Sequence, residues 1–430
     1  MLMLKIIISL IIIFGFSFML WSMVGLLRFI IEFIARKIQR QKNGNGKTVS
    51  QTKPNLIDNH LPNISEVAVV MAAHNEQAVI ADSLEVLKNI ISLKNVFVAN
   101  DGSLDKTGEI AKAHGANVLN IYPNRGKAGA LASALEHFNI YDQYQYVVLV
   151  DADTRLRADY LTNALPLFKD EQIAAVAGYA RSQWKNNIFI AYRSRVWLTI
   201  QIFFRFGMSW KYTNVNMIVP GFASMYRTRV LRQINIAKQG LVIEDFNMTF
   251  ELQKKKLGKI AHYPSITGYT QDPDTFLSYC HQINRWNLGF WQTVKANGIW
   301  PSFFWLNMII YLAEIILVGF VMLIFPIFIL YFVLAIIFNS YGLITPDKLA
   351  AAYVILDWLL ILFVLDYCYT IITAVVNRRP ALLFYGPAML FFRWLDAYYL
   401  FTGFFLTYTT SSNGAWTPPK RWQSAERQVV

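Results

Sequence analysis

The residues with the clearest chemical capacity are carboxylates. Asp151-Ala152-Asp153 follows the apolar run 146–150, YVVLV. In extended chain, residues two apart point to the same side, so Asp151 and Asp153 stand together. Two hard oxygen ligands side by side suit Mg2+ or Mn2+ holding a diphosphate. A helix N-cap accounts for one carboxylate, such as Asp101, or for Ser103; it does not account for a pair. Glu244 and Asp245 follow the run 241–243 and open a helix through Lys254. They either complement the helix dipole or supply a general base for an alcohol nucleophile beside a bound phosphate. Gln282, Arg285 and Trp286 lie at i, i+3 and i+4 and share one helix face. An amide, a guanidinium that grips phosphate bidentately and a flat indole suit a sugar diphosphate. The same segment, with Phe290, Trp291 and Trp300, also reads as an amphipathic helix on a membrane surface. Asn124-Arg125-Gly126-Lys127 opens a helix with glycine between cations. It is either phosphate-binding or a solvated basic turn, and no Walker loop is present.

These residues need a frame that brings them together. Apolar, β-rich runs occur at 66–73, 95–99, 116–121, 146–150 and 173–177. Helical patterns occur between and after them at 76–90, 104–114, 127–138 and 158–168. That alternation predicts βαβ units and an α/β fold with a parallel-rich sheet. Ligands of such sheets bind beyond the C-terminal ends of the strands. Ala73 through Glu76, Asn100 through Ser103, and the Asp151/Asp153 pair all fall at such ends.

Composition sets the wider context. The chain is 55% hydrophobic and only 16% charged, against about 45–50% and about 25% for soluble domains. This excludes a disordered chain and argues against an ordinary soluble enzyme. Two cysteines exclude a disulfide framework and a cysteine-rich metal site. The net charge of +13 fits nucleic acid, anionic lipid or a phosphorylated substrate. The basic residues cluster beside apolar runs rather than on an aromatic-interleaved face, which argues against nucleic acid.

The run Ile6–Leu27 carries no charge and is long enough to cross a bilayer. It lacks a signal-peptide cleavage site. Arg28, Arg36, Lys37, Arg40, Lys42 and Lys47 follow it and predict a cytoplasmic flank. A second apolar block covers 302–338, which is one long helix or a hairpin bent near Pro326, then 349–376 and 381–408. In the last, Gly386-Pro387 predicts a short interfacial helix first. Glu314, Asp357, Asp366, Arg393 and Asp396 interrupt this block. They either line a hydrophilic pathway or fasten helices, with Arg393 and Asp396 neutralising each other.

The ordered set MAAHNE, ANDGS, NRGKAGAL, DAD, IED and QINRW resembles membrane-embedded family 2 glycosyltransferases, the synthases of cellulose, chitin, hyaluronan and poly-N-acetylglucosamine. The resemblance covers about Val67 to Trp286, and the layout of spans is most similar to the bacterial poly-N-acetylglucosamine synthases. It implies a GT-A fold, a UDP-sugar donor (UDP-GlcNAc favoured) and a Mg2+ or Mn2+ ion. It implies donor contacts at Ala73, Glu76, Asp101, Lys127, Asp151, Gln282 and Arg285. The metal falls at Asp153 and the general base at Asp245. Acceptor contacts fall at Trp286, Gly221, Phe222 and Glu244. Ile243 stands where the relatives carry threonine. The implied partners are the donor, a growing polysaccharide, the lipid bilayer and, where one is used, a small membrane subunit; nucleic acid is not among them. The implied location is the plasma membrane, multi-pass, with a cytoplasmic catalytic domain. The expected division is residues 1–40 as a membrane helix with basic flank, 41–62 as linker and 63–270 as catalytic domain. Residues 271–301 are expected as interfacial helices, 302–410 as a membrane region and 411–430 as a tail.

Overall fold

The computed structural model describes residues 2–44 and 62–410. The expected C-terminal tail and most of the expected linker lie outside those residues. The strands are β1 (Val67–Ala73), β2 (Val96–Asp101), β3 (Asn117–Ile121), β4 (Tyr146–Asp151), β5 (Arg155–Leu156), β6 (Ile173–Ser182), β7 (Ala223–Arg227) and β8 (Lys259–Thr270). They form one sheet in the order β3-β2-β1-β4-β7-β6-β8-β5. β1 pairs in parallel with β2 on one side and with β4 on the other. The order of connection reverses there, which opens a crevice beyond the strand ends. β7 runs antiparallel to both β4 and β6, so the sheet is mixed, with most strands parallel.

β1 is buried along its whole length, which is why it reads as a continuous apolar run rather than an alternating one. Val67, Val69 and Met71 face one core with Leu84, Leu87, Tyr160 and Phe168. Ala68, Val70 and Ala72 face the other with Leu131, Leu135, Met248 and Leu252. The side-chain period of two thus sets two cores, one on each face. β7 and β8 were not foreseen. β7 is short, and β8 carries Lys259, His262 and Pro264 among its apolar residues.

Among the described residues, three helices are long and apolar enough to cross a membrane: Phe16–Ile38, Phe303–Ser340 and Pro346–Asn377. One membrane-length helix does lie near the N-terminus, but it is not the run Ile6–Leu27. The uncharged run divides into Leu2–Phe14 and Phe16–Gly44. Gly15 adopts φ +81°, and a Cβ there would collide with the Glu314 carboxylate. Glu314 accepts a hydrogen bond from the Ser17 N–H at 2.7 Å, so a carboxylate from another helix satisfies the new helix start. The Phe16 helix continues through Gly44, past the expected linker start. Segment 302–338 is one helix, Phe303–Ser340, with Pro326 inside it rather than at a bend between two helices. The final segment does begin with a short helix, Ala381–Tyr385, followed by Met389–Thr409.

The interior charges fasten helices together. Arg195 donates to Asp366 at 2.7 Å, and Arg393 reaches the same carboxylate at 3.2 Å. Asp396 accepts hydrogen bonds from the hydroxyls of Tyr192 and Tyr279. The expected Arg393–Asp396 pair is therefore replaced by contacts to other helices, which a one-helix spacing rule does not see. Lys5 pairs with Asp357 at 3.1 Å. Arg28 is not a solvated flank residue. It is buried between Phe206 and Tyr263, at 4.1 Å and 4.4 Å from their ring centroids, and donates to the Phe206 carbonyl and to Ser209. It clamps the N-terminal helix onto the sheet unit. The Ile188–Leu198 helix belongs to the same contact zone, since Arg195 is tied to Asp366 and Tyr192 to Asp396.

Candidate functional site

The crevice at the ends of β1, β2 and β4 collects the first group of predicted residues. Ala73 ends β1, opposite Asn100 of β2, and Asp151 ends β4, opposite Ala72. Asp101 ends β2 with 1% exposure. Its Oδ1 accepts the Arg125 N–H at 2.8 Å, at the start of the Gly126–His137 helix. Its Oδ2 is buried without a hydrogen-bond partner among the described residues. Burial raises the Asp101 pKa. His74 Nδ1 lies 2.6 Å from the Asp101 carbonyl and 3.1 Å from the Asn124 amide. Glu76 is fully buried, and its N–H donates to Thr107.

Lys127 joins this group to a second one. Its Nζ lies 2.6 Å from Asp151 Oδ1 and 2.9 Å from Glu244 Oε1, and it donates to the Gly221 carbonyl at 3.3 Å. Burial alone would lower the Lys127 pKa; the Asp151 and Glu244 carboxylates outweigh it and hold the pKa above the ordinary value. Burial acts to raise Glu244, but Lys127 beside it dominates and holds the carboxyl below its usual range. Gly221 is packed closely against both ends of this ion pair, which would have to shift to admit a side chain. A Cβ there would come 2.8 Å from Glu244 Oε1 and 3.0 Å from Lys127 Nζ.

Asp245 sits one residue into the Glu244–Lys254 helix. Its Oδ2 accepts the Gly221 N–H at 3.2 Å and its Oδ1 the Phe246 N–H at 2.8 Å. Thr249 of the same helix accepts the Val219 N–H at 2.8 Å, so the loop 219–221 is pinned to the helix start. Burial first, then the adjacent Glu244, push the Asp245 pKa up to about 6. Phe222 turns its side chain into the core, and its carbonyl accepts the Asp151 N–H at 3.3 Å.

Asp153 is 3% exposed, and its carbonyl accepts from Gln183 at 3.0 Å. Among the described residues no group of three or more metal-ligating side chains is present. Asp151 and Asp153 carry hard carboxylate oxygens of the kind a divalent cation takes, but β4 ends at Asp151 and Asp153 lies in the turn that follows, closed by the Thr154 N–H on the Asp151 carbonyl at 2.9 Å, so the extended spacing expected for the pair is not what holds them.

The Phe276–Asn297 helix carries Gln282, Arg285 and Trp286. Arg285 is within electrostatic reach of Glu244, whose charge it favours. Gln282 Oε1 is buried without a partner among the described residues. Gly289 permits the approach, since a Cβ there would lie 2.7 Å from Ile243 Cγ1. Ile243 caps no backbone group with its side chain; it fills the contact between the two helices. Trp286 is half-buried, with the Arg193 guanidinium 4.4 Å from its ring centroid and the Trp197 ring at 5.7 Å. Trp197 Nε1 donates to both carboxylate oxygens of Asp272 at 3.2 Å. Burial pushes Asp272 up to about 6.

Arg193, Trp197 and Asp272 were missed in the sequence. The available signals were two arginines in an otherwise apolar helix, 188–198, and the acidic QDPD turn at 271–274.

Residues 68–234 match the family model described as Glycosyl transferase family 2. A poly-beta-1,6-N-acetyl-D-glucosamine synthase of Staphylococcus epidermidis is 23% identical over 261 residues, covering 57% of this chain and 61% of that protein. A beta-monoglucosyldiacylglycerol synthase of Nostoc sp. is 26% identical over 246 residues, covering 53% of this chain and 49% of that protein. The chain thus spans about half to three-fifths of the curated relatives it matches. Among solved structures, a mannosyltransferase from Pyrobaculum calidifontis in complex with GDP-Man and Mn2+ superposes with a TM-score of 0.51. It is 14% identical and covers 90% of this chain and 99% of that one. That likeness shows the GT-A fold.

Proposed function

From a chain that carries a glycosyl transferase family 2 domain of GT-A fold and membrane-length helices, we propose a membrane-bound hexosyltransferase. It transfers a sugar from a UDP-sugar, UDP-GlcNAc favoured, with inversion at the anomeric carbon. It extends a polysaccharide and passes it across the membrane, with the catalytic sheet on the cytoplasmic side. The observation that carries this reading is the junction at Lys127. One buried cation ties Asp151 of the D-x-D pair to Glu244, next to Asp245. On this reading the donor phosphates and the attacking hydroxyl take adjacent positions.

In this mechanism Asp101 takes the nucleoside through Oδ2, which is buried without a partner among the described residues, with Ala73 and Glu76 framing the same strand ends. A divalent ion held by Asp153, with Asp151 beside it, would neutralise the diphosphate. Lys127 and Arg285 add fixed positive charge next to the departing UDP. The acceptor hydroxyl gives its proton to Asp245 as its oxygen bonds to the anomeric carbon. The bond from that carbon to the UDP oxygen breaks, and the electron pair leaves with UDP. A base with a pKa near 6 is ionised at neutral pH and remains basic enough to accept the proton. Trp286 offers a stacking surface to the acceptor sugar, while Gly221, Phe222 and Glu244 shape the loop beside it.

The test is full-length protein in lipid nanodiscs with a panel of UDP-sugars, measuring UDP release and product length, with and without EDTA. UDP release from UDP-GlcNAc, abolished by EDTA and accompanied by long polymer, is the expected result. Release with only single-sugar glycolipid would favour a second reading, a non-processive membrane glycosyltransferase that adds one sugar to a lipid carrier or glycolipid, which the glycolipid-synthase relative supports. No release from any member of the panel would refute both.

A further inference from the structure

Arg193 belongs to none of the motifs, and the mechanism above leaves it unused. It is 1% exposed, and its Nε and Nη2 have no hydrogen-bond partner among the described residues. A buried guanidinium is ordinarily held in a fork by carboxylates. Arg195, on the same helix, is held that way by Asp366. Arg193 is placed against two aromatic faces, 4.4 Å from the Trp286 centroid and 4.7 Å from the Tyr279 centroid. The charges of Asp272 and Asp396 lie within electrostatic reach, which lowers the cost of burying the cation without supplying the fork.

Trp286 is consequently held from two directions. The guanidinium covers one face of the indole, and Trp197, anchored by Asp272, meets it at an interplanar angle of 57°. The indole is packed against the buried cluster around Tyr279 and Tyr192 yet stays only half-buried, so the part left exposed is held in a fixed orientation. Cation–π contacts are strongest where water is excluded, and this one is buried.

We propose that Arg193 is a positioning residue for the acceptor. It fixes the plane of Trp286 and so sets the register in which the acceptor sugar stacks. The proposal rests on the glycosyltransferase reading, and acceptor affinity and product length are what it governs.

The test uses full-length protein in nanodiscs with UDP-GlcNAc and a β-linked N-acetylglucosamine tetrasaccharide. Arg193→Met should raise the acceptor KM about tenfold and shorten the product, with donor KM within about twofold of wild type. Arg193→Lys keeps the charge but not the plane and should raise the acceptor KM about threefold. In a Trp286→Ala background, Arg193→Met should add less than about twofold, because its effect passes through the indole. An unchanged acceptor KM in either single variant would overturn the proposal. So would a donor KM that rises in step with it, or a full Arg193→Met effect without Trp286. Arg193→Lys decides the matter by itself if the methionine variant no longer binds UDP. Wild-type protein that releases no UDP refutes the glycosyltransferase reading instead, before any variant is compared.

Discussion

Asp245→Asn separates the chemical role of this carboxyl from its structural cost. The Asp245 pKa rises from 3.8 to about 6, first through burial and then through Glu244. Each unit corresponds to about 1.36 kcal/mol, so ionised Asp245 destabilises the folded chain by about 3 kcal/mol at most. Partial solvent exposure reduces that figure. The sign follows from linkage. A carboxyl with a raised folded pKa favours the folded state fully below its unfolded pKa, and that contribution is lost as pH rises through the folded value. Asparagine mimics the protonated form at every pH. Its amide nitrogen cannot accept one of the two N–H groups that the carboxyl oxygens accept, a cost equal at every pH; against that offset Asp245→Asn should gain on wild type between about pH 4 and 6 and hold the gain above that. UDP release should fall at least about a hundredfold, as expected for loss of a positioned general base. The assay is thermal unfolding in detergent across this pH range, in EDTA, beside UDP release in the presence of metal. A stability difference that does not shift in the variant's favour between pH 4 and 7.5 would refute the burial argument, and retained turnover would refute the base.

Lys127→Met should leave Glu244 buried without its cation, at a cost of about 3–5 kcal/mol. The expected loss in kcat/KM is roughly 10²–10³-fold, and Glu244→Gln in the same chain should restore thermal stability but not turnover. Gly15→Ala should destabilise the membrane unit, because a left-handed residue with a Cβ costs about 1–2 kcal/mol and Glu314 must also move. Thermal unfolding in detergent checks this, and Glu314→Gln, which keeps the acceptor for the Ser17 N–H, should have a much smaller effect.

The strand ends were legible because fully buried parallel strands leave uninterrupted apolar runs, and the polar residues that follow them mark the crevice. The Glu244–Asp245 helix start and the 282–286 helix face rest on local periodicity alone, whereas Asp153 sits in a turn rather than in the extended chain that its spacing from Asp151 suggested. Local patterns did not reveal the break at Gly15, since an uncharged run looks the same whether or not a carboxylate on another helix caps its middle. Nor did they reveal that Arg28 is buried. A basic residue after an apolar stretch has the same spacing whether solvated or held between Phe206 and Tyr263.

By itself, the sequence determined the alternating α/β order, the membrane-length apolar segments and the residue types able to meet a sugar diphosphate. Each follows from short-range periodicity and composition. Tertiary structure alone decided the partners: Lys127 between Asp151 and Glu244, Arg393 on Asp366 rather than Asp396, and Arg193 on the face of Trp286. Those contacts join residues far apart in the chain. Their identity depends on which helix and strand ends the sheet order and the helix packing bring within a few ångströms, and no spacing along one element records that.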